Sequence, residues 1–206
     1  MTFPDKKYIS IDNFCNDYIA ELARANNSID RVKLQAAAKL IQECFSRGNW
    51  IYVCGNGGSA AIANHLLCDY AKCIQTDTDL RPKVISLSSN LEMITAIAND
   101  IEYDQCFSYQ LATSGKPEDI LMTISASGDS ENIVNAVKWA SKNSMHTISL
   151  TGFKGGRSAG IADINLHVSG ENYGVIEDTH QSIMHIISQY LRQLNMEEKL
   201  ISNRNF

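Results

Sequence analysis

Several features that mark particular protein classes are missing from this chain. No apolar run approaches the roughly 20 residues that a membrane-spanning helix needs, and residues 1–7 lack the apolar stretch of a signal peptide. The 6 cysteines include no CxxC pair, which indicates free, buried thiols and not a disulfide set. Together these absences predict a cytoplasmic protein with no membrane partner.

Strong positive charge is also missing. The chain carries 18 lysine and arginine residues against 23 aspartate and glutamate residues, a net charge of −5, and no long basic block. We therefore expect no nucleic-acid partner. The absence of a GxGxxG sequence and of a GKS or GKT triplet argues against a dinucleotide site and a nucleotide P-loop. With 206 residues, the chain has the size of one α/β domain.

Strand-like and helix-like segments alternate along the chain after residue 48. Residues 11–47 contain no proline or glycine and predict two helices interrupted at 26–28, with Ser28 as the N-cap of the second and Gly48 as its end. Strands are predicted at 50–54, 83–87, 120–124, 147–150 and 164–168, and helices at 59–72, 91–99, 131–143, 157–162 and 176–195. This order predicts a three-layer, doubly wound α/β sandwich with a five-stranded parallel sheet. The two preceding helices suit packing against a second subunit.

Two loops rich in glycine and serine lie directly after predicted strands. They read Gly55-Asn56-Gly57-Gly58-Ser59 and Ser125-Ala126-Ser127-Gly128-Asp129-Ser130, and each precedes a predicted helix. Glycines let the backbone approach a ligand, hydroxyls donate hydrogen bonds, and a helix N-terminus adds unpaired N–H groups. A capping serine with a glycine turn explains one serine of the second loop but not three. The loops therefore predict a phosphorylated small molecule as the ligand.

Two predicted helices each present one carboxylate and one imidazole. His65 and Asp69 lie four residues apart after the first loop, and Glu177 and His185 lie about two turns apart near the C-terminus. Such a set can bind a divalent metal of the zinc type, or can divide the roles of base and acid between its members. The alternative is a pair of ordinary helical salt bridges, which are common on protein surfaces.

With these residues assembled, the chain resembles a single SIS (sugar isomerase) domain of the phosphoheptose isomerase family. The segments that carry the resemblance are CGNGGSAAIANH (54–65), TAIANDIEYD (95–104), ISASGDSENI (124–133), SLTGFKGG (149–156) and EDTHQSIMHIISQYL (177–191). The resemblance spans residues 1–206 as one flavodoxin-like domain, with residues 1–48 as a helical pair that packs in the oligomer. It implies a homotetramer with active sites at subunit interfaces.

The resemblance also implies an activity and a set of roles. Family members interconvert sedoheptulose 7-phosphate and an aldose heptose 7-phosphate for surface polysaccharide. By position, the residues that would hold the phosphate and nearby hydroxyls are Ser59, Ser125, Ser127 and Ser130. Gly57 and Gly58 of the first loop would also bind the substrate. Asn56 and Asp100 would line the sugar site together with Glu177. The places of the zinc ligands and acid–base residues are occupied by His65, Asp69, Glu177 and His185. We expect Asp69 to be the base and His185 the acid.

The chain departs from the family pattern at four positions. Asp69 stands where the family has glutamate, Glu177 where it has glutamine, Gly174 where it has aspartate, and Ala126 where it has threonine. An isomerase of a different sugar phosphate is therefore the first alternative. The second is a non-catalytic tetrameric scaffold, like the protein of this fold that associates with the bacterial replication initiator. The third is a sugar-phosphate sensor.

Overall fold

The computed structural model describes residues 3–206 and is centred on a parallel sheet with the strand order β2-β1-β3-β4-β5. All five predicted strands are confirmed, and no strand end is shifted by more than one residue. They are β1 (Trp50–Gly55), β2 (Lys83–Ser86), β3 (Ile120–Ser125), β4 (His146–Thr151) and β5 (Ile164–His167). The order changes direction between β1 and β3, and doubly wound sheets bind their ligands at such a switch point. The two glycine- and serine-rich loops follow these two strands.

Helices cover both faces of the sheet, as the three-layer prediction requires. They are α1 (Ile11–Asn27), α2 (Arg31–Arg47), α3 (Gly58–Cys68), α4 (Leu91–Asp100), α5 (Cys106–Ser114), α6 (Glu131–Lys142), α7 (Gly156–Ile161), α8 (Tyr173–Leu194) and α9 (Glu198–Ile201). Side chains alternate along β1, so that Ile51 and Val53 pack with α2, α3 and α8, whereas Tyr52 and Cys54 pack with α5 and α6. None of the helices in residues 3–206 is long and apolar enough to cross a bilayer.

The two N-terminal helices are confirmed, but the predicted cap of the second is wrong. Ser28 ends α1, where its hydroxyl donates to the Ala25 carbonyl at 2.6 Å. Asp30 caps α2 instead, because its carboxylate accepts from the backbone N–H groups of Val32 and Lys33 at 2.9 and 3.1 Å. Gly48 ends α2 in the left-handed region, with φ at 75°, as predicted.

Three local features were not foreseen, one of which is the short helix α9 after the long C-terminal helix. The predicted helix 59–72 is divided, because α3 ends at Cys68 and a π-helical stretch runs over Asp69–Ile74. The segment before β3 forms a 3₁₀ turn (Tyr103–Gln105) and then α5, which has no side-chain N-cap bond and therefore no capping sequence to announce it. The π-helical stretch matters for the site, since such turns occur mostly as single, frequently functional, interruptions of α-helices.

Candidate functional site

The glycine- and serine-rich loops meet at the carboxyl edge of the sheet. Gly55 at the end of β1 is the register partner of Ile124 in β3, so both loops leave the sheet side by side. Together with the first turns of α8 they enclose a cavity of about 160 Å³. Six of the residues predicted to bind substrate line this cavity, namely Asn56, Ser59, Ser125, Ser127, Ser130 and Glu177. We call it the serine cavity.

The second loop is held in shape by its own serines. Ser125 Oγ accepts from the Gly128 N–H at 3.1 Å, and Ser127 Oγ accepts from the Asp129 N–H at 3.3 Å. Ser130 occupies the N-cap position of α6 but makes no capping bond with its side chain, so the capping alternative does not explain this hydroxyl. With Ser130 lining the cavity, its hydroxyl is available to a ligand.

Close packing fixes the second loop against the turn before α7. Gly128 has a positive φ of 63°, and a Cβ there would lie 1.9 Å from the Gly155 carbonyl oxygen, so only glycine fits. The Ser158 N–H also donates to the Gly128 carbonyl at 2.9 Å. These contacts leave the loop little freedom to move.

An arginine neutralises the acidic side chains beside this loop. Arg157 Nε donates to Asp129 Oδ1 at 2.6 Å, and Arg157 Nη2 donates to Glu131 Oε2 at 2.8 Å. The hydrogen bonds from this guanidinium hold the pKa of both carboxyl groups below their usual values. Both acids therefore stay ionised, and Arg157 offsets a negative potential that would otherwise oppose an anion.

The first loop positions its residues through an amide pair. Asn56 Nδ2 donates to Asn132 Oδ1, and Asn132 Nδ2 donates back to Asn56 Oδ1, both at 2.9 Å. The Tyr103 hydroxyl donates to the same Asn56 oxygen at 2.9 Å. Gly57 is the N-cap of α3, directly before Gly58. Asn132 and Tyr103 were not predicted as site residues, because neither shows its role before Asn56 lies beside it.

Glu177 lies at the serine cavity and not with the histidines. Its carboxylate packs against Gly58, where an added Cβ would lie 2.5 Å from Glu177 Oε2. Because Gly58 has no side chain, the Glu177 carboxylate has room to line the cavity. A carboxylate accepts hydrogen bonds from hydroxyls but repels a phosphate, so Glu177 suits the sugar side of a phosphorylated ligand.

The other three predicted metal-ligating residues converge. His65, Asp69 and His185 offer ligand atoms that all lie within 4.8 Å of one another. Asp69 Oδ1 is 3.3 Å from His65 Nε2, and Asp69 Oδ2 is 3.3 Å from His185 Nε2. The carboxylate is the most buried member, with a side chain 16% exposed against 47% for His65 and 38% for His185. We call these three residues the histidine cluster; two imidazoles and a carboxylate match the donors that zinc prefers.

Gln181 belongs to the same neighbourhood and was not assigned from the sequence. Its amide Nε2 lies 2.9 Å from His65 Nδ1 and 3.2 Å from His185 Nε2. It stands one helical turn before His185 on α8, and this spacing was the only indication of its place. The amide therefore joins the histidines of α3 and α8.

Asp100 and Gly174 lie outside both the serine cavity and the histidine cluster. Asp100 ends α4 on the surface, where its carboxylate accepts from Asn99 Nδ2 at 2.7 Å, and it does not line the serine cavity. Gly174 faces Tyr18, whose hydroxyl would be 3.1 Å from an added Cβ. That hydroxyl donates to Asp178 at 2.5 Å, and burial together with this bond raises the pKa of Tyr18 to about 12. Asp100 as a sugar ligand stays a prediction.

Comparisons with known proteins agree on one family. The SIS domain model matches residues 14–152. A probable phosphoheptose isomerase of Thermoplasma acidophilum is 37% identical over 82% of this chain and 93% of its own length, and a phosphoheptose isomerase of Synechocystis is 33% identical over 89% and 94%. The solved phosphoheptose isomerase of Neisseria gonorrhoeae superposes with a TM-score of 0.81 at 31% identity, covering 88% of this chain and 98% of that one.

Proposed function

This chain belongs to the SIS domain family, and from that premise we propose that it is an aldose–ketose isomerase of a sugar phosphate. Its curated relatives are named phosphoheptose isomerases and match it over most of their length. We therefore propose sedoheptulose 7-phosphate and an aldose heptose 7-phosphate as the pair that it interconverts. Other sugar phosphates of similar length are the competing substrates.

One observation carries this proposal: α3 and α8 each contribute to both the serine cavity and the histidine cluster. Ser59 and Glu177 line the cavity, whereas His65 and His185 lie further along the same two helices. Ser59 and His65 are six residues apart, which corresponds to about 9 Å along the helix. This separation suits a substrate whose phosphate and carbonyl lie at opposite ends of an extended carbon chain.

The serine cavity would hold the phosphate end. The Ser125, Ser127 and Ser130 hydroxyls and the N-terminal N–H groups of α3 and α6 are donors around one small space. Donors of this kind bind phosphate through hydrogen bonds and through the positive end of the helix dipole. Glu177 would accept a hydrogen bond from a sugar hydroxyl, which fixes the direction in which the ligand enters.

The histidine cluster would carry the chemistry at the carbonyl end. Isomerisation moves a proton between C1 and C2 through an enediol, so one group takes a carbon-bound proton while another protonates the oxygen. Asp69 is the proposed base and His185 the proposed acid, and the shared 3.3 Å contact lets the proton pass between them. Glu177 is the second carboxylate available as base.

A divalent metal of the zinc type is part of the proposal. His65, Asp69 and His185 would hold it, and when bound it would polarise the carbonyl oxygen. If Asp69 and His185 are committed to the metal, the Asp69 carboxylate is no longer a free base and the ligating nitrogen of His185 is no longer a free acid. The role of base then falls to Glu177, which lines the adjoining cavity.

Assembly and location complete the proposal. We propose a homotetramer with sites at subunit interfaces, supported by the exposed apolar side chains of Ile11, Ile19 and Val32 on the N-terminal helices. A neighbouring subunit would then bring residues such as Asp100 to the site.

All six cysteines are free, which supports a reducing compartment such as the cytoplasm. Supply of heptose for surface polysaccharide is the proposed role of the product.

The test is a direct assay. Purified protein is incubated with a panel of ketose phosphates, including sedoheptulose 7-phosphate, and aldose formation is followed by NMR. We expect turnover of the seven-carbon substrate, loss of turnover with a chelator, and its return with added zinc. Preference for another ketose phosphate would change the substrate, and binding without turnover of any member would overturn the enzymatic proposal.

A further inference from the structure

Gln181 makes contacts that the proposed reaction does not account for. Its carboxamide is within hydrogen-bonding distance of both histidines of the cluster, at 2.9 Å from His65 Nδ1 and 3.2 Å from His185 Nε2. The residue is half-buried on α8, one turn before His185. It does not line the serine cavity, and its hydrogen-bonding contacts within the site are with the histidines.

We propose that Gln181 is a positioning residue, which fixes the ring of His65 so that its Nε2 faces Asp69. The two nitrogens of this ring point to different partners. Nε2 faces the Asp69 carboxylate at 3.3 Å, and Nδ1 faces the Gln181 amide at 2.9 Å. A ring held at both nitrogens cannot rotate away without losing both contacts.

A carboxamide suits this position better than a carboxylate or an apolar group. In the metal-free protein, His65 Nε2–H donates to Asp69, and the Nδ1 lone pair accepts from the Gln181 amide. If His65 held a metal through Nε2, its ring hydrogen would be on Nδ1, and the Gln181 amide oxygen would be the acceptor that this hydrogen requires. Glutamine carries both a donor and an acceptor, so a half-turn of the amide satisfies either state.

The shared position of Gln181 also couples the two helices of the cluster. His65 lies on α3, and Gln181 reaches its Nδ1 from α8, the helix that carries His185. Holding the His65 ring in advance would lower the ordering cost of metal binding. Loss of a partner behind a metal-ligating histidine typically weakens metal binding by about 10- to 100-fold.

This inference rests on the metal site of the proposed function, and the experiment separates the two. Zinc affinity is measured by competition with a chromogenic chelator, without any sugar, for the wild type, Gln181→Met and Gln181→Glu. Methionine keeps the length but removes both hydrogen-bonding groups, and glutamate keeps an acceptor. Gln193→Met is the matched control, because Gln193 is also half-buried on α8 but donates to the Tyr190 carbonyl.

We expect Gln181→Met to bind zinc about 10- to 100-fold more weakly than wild type. Gln181→Glu should bind at least as tightly as wild type, and Gln193→Met should bind equally. Equal affinity of wild type and Gln181→Met would overturn the inference while leaving the metal site in place. Absence of zinc binding in the wild type would overturn both. Amide-dependent zinc binding without sugar turnover would support the inference and contradict the isomerase.

The tautomer of the His65 ring gives a second readout, which a general loss of packing would not change. Long-range proton–nitrogen NMR correlations of the metal-free protein report which nitrogen of His65 carries the hydrogen. We expect one dominant tautomer in the wild type and a mixture in Gln181→Met, with equal thermal unfolding of the two proteins as the check on folding. The same tautomer mixture in both proteins would contradict the positioning role.

Discussion

The serine cavity and the histidine cluster are built in opposite ways. The cavity uses two continuous loops, and in the second of them Ser125 and Ser127 bond to backbone groups only two or three positions away. The cluster uses single side chains from distant helices, and Gln181 and His65 are 116 positions apart. The second loop therefore owes much of its shape to local turn geometry, whereas the cluster exists only when α3 and α8 pack correctly.

This difference separates binding from chemistry within the protein. The second loop is closely packed against the turn before α7, and its shape does not depend on the cluster. The histidines are partly exposed and are held by side-chain contacts alone. Substitutions in the cluster should therefore change the reaction without changing anion binding, and substitutions that disturb the close packing of the loop should change both binding and stability.

The largest expected effect is on the reaction. Asp69→Asn should lower turnover of sedoheptulose 7-phosphate by about 100- to 10,000-fold, because the amide can neither accept the carbon-bound proton nor supply charge to a metal. Affinity for inorganic phosphate, measured by calorimetry, should stay unchanged. Asp79→Asn is the exposed control of the same chemistry. Normal turnover in Asp69→Asn would remove this residue from the mechanism.

The next effect is on the loop. Gly128→Ala would place a side chain at a positive φ, with its Cβ 1.9 Å from the Gly155 oxygen. The free energy of unfolding should therefore fall by about 3 kcal/mol, and phosphate binding should be lost. Chemical denaturation measures the first and calorimetry the second. Gly160→Ala is the control, since a Cβ there meets nothing within 4 Å. Equal stability of the two variants would contradict the close packing described above.

A buried histidine on α8, His180, gives a smaller effect, which depends on pH. Burial lowers the pKa of His180 to about 4, although Nε2 lies 3.2 Å from the Thr151 carbonyl. The unfolded chain binds a proton at this ring near 6.5, so between these values it holds more protons than the folded protein. The stability that depends on a neutral His180 is therefore fully present above about pH 6.5 and is lost as the pH falls toward 4.

Between pH 7 and pH 5 this difference should lower the free energy of unfolding by about 2 kcal/mol. Denaturant titrations at several pH values measure the slope in the wild type and in His180→Asn. The variant should be less stable at every pH but should show a shallower slope. Parallel slopes would assign the acid sensitivity to other groups.

The smallest expected effect concerns one hydroxyl. Ser130 makes no capping bond, so Ser130→Ala should change the free energy of unfolding by less than about 0.5 kcal/mol. Affinity for the sugar phosphate should fall about tenfold, the effect of one hydrogen bond to a charged group. Ser141→Ala, exposed near the other end of α6, is the control in both measurements. Unchanged affinity would place the phosphate elsewhere in the cavity.

Much of the fold followed from local sequence patterns. The five strands and the two loops were predicted because short apolar runs and glycine–serine turns show their structure within a few residues. The wrong cap at Ser28 is instructive, because Asp30 is an equally good capping residue only two positions later. Sequence order alone could not decide between them.

The remainder depends on contacts between distant segments. Gln181 reads as an ordinary polar residue of α8 until α3 lies beside it, and Asn132 shows its role only through Asn56. Glu177 was grouped with the histidines by helical spacing, whereas the space above Gly58 places its carboxylate at the cavity. The π-helical stretch that begins at Asp69 has no reliable sequence pattern.

The close packing of Gly128 against Gly155 has a consequence for the kinetics of ligand capture. A loop fixed by such a contact does not have to close over an incoming anion. Stopped-flow mixing with a sugar phosphate should then show a single association phase whose rate rises linearly with concentration, without the plateau of a slow preceding rearrangement. The loop would act as a preformed receptor, and any slow step of the catalytic cycle would occur at the carbonyl end of the sugar.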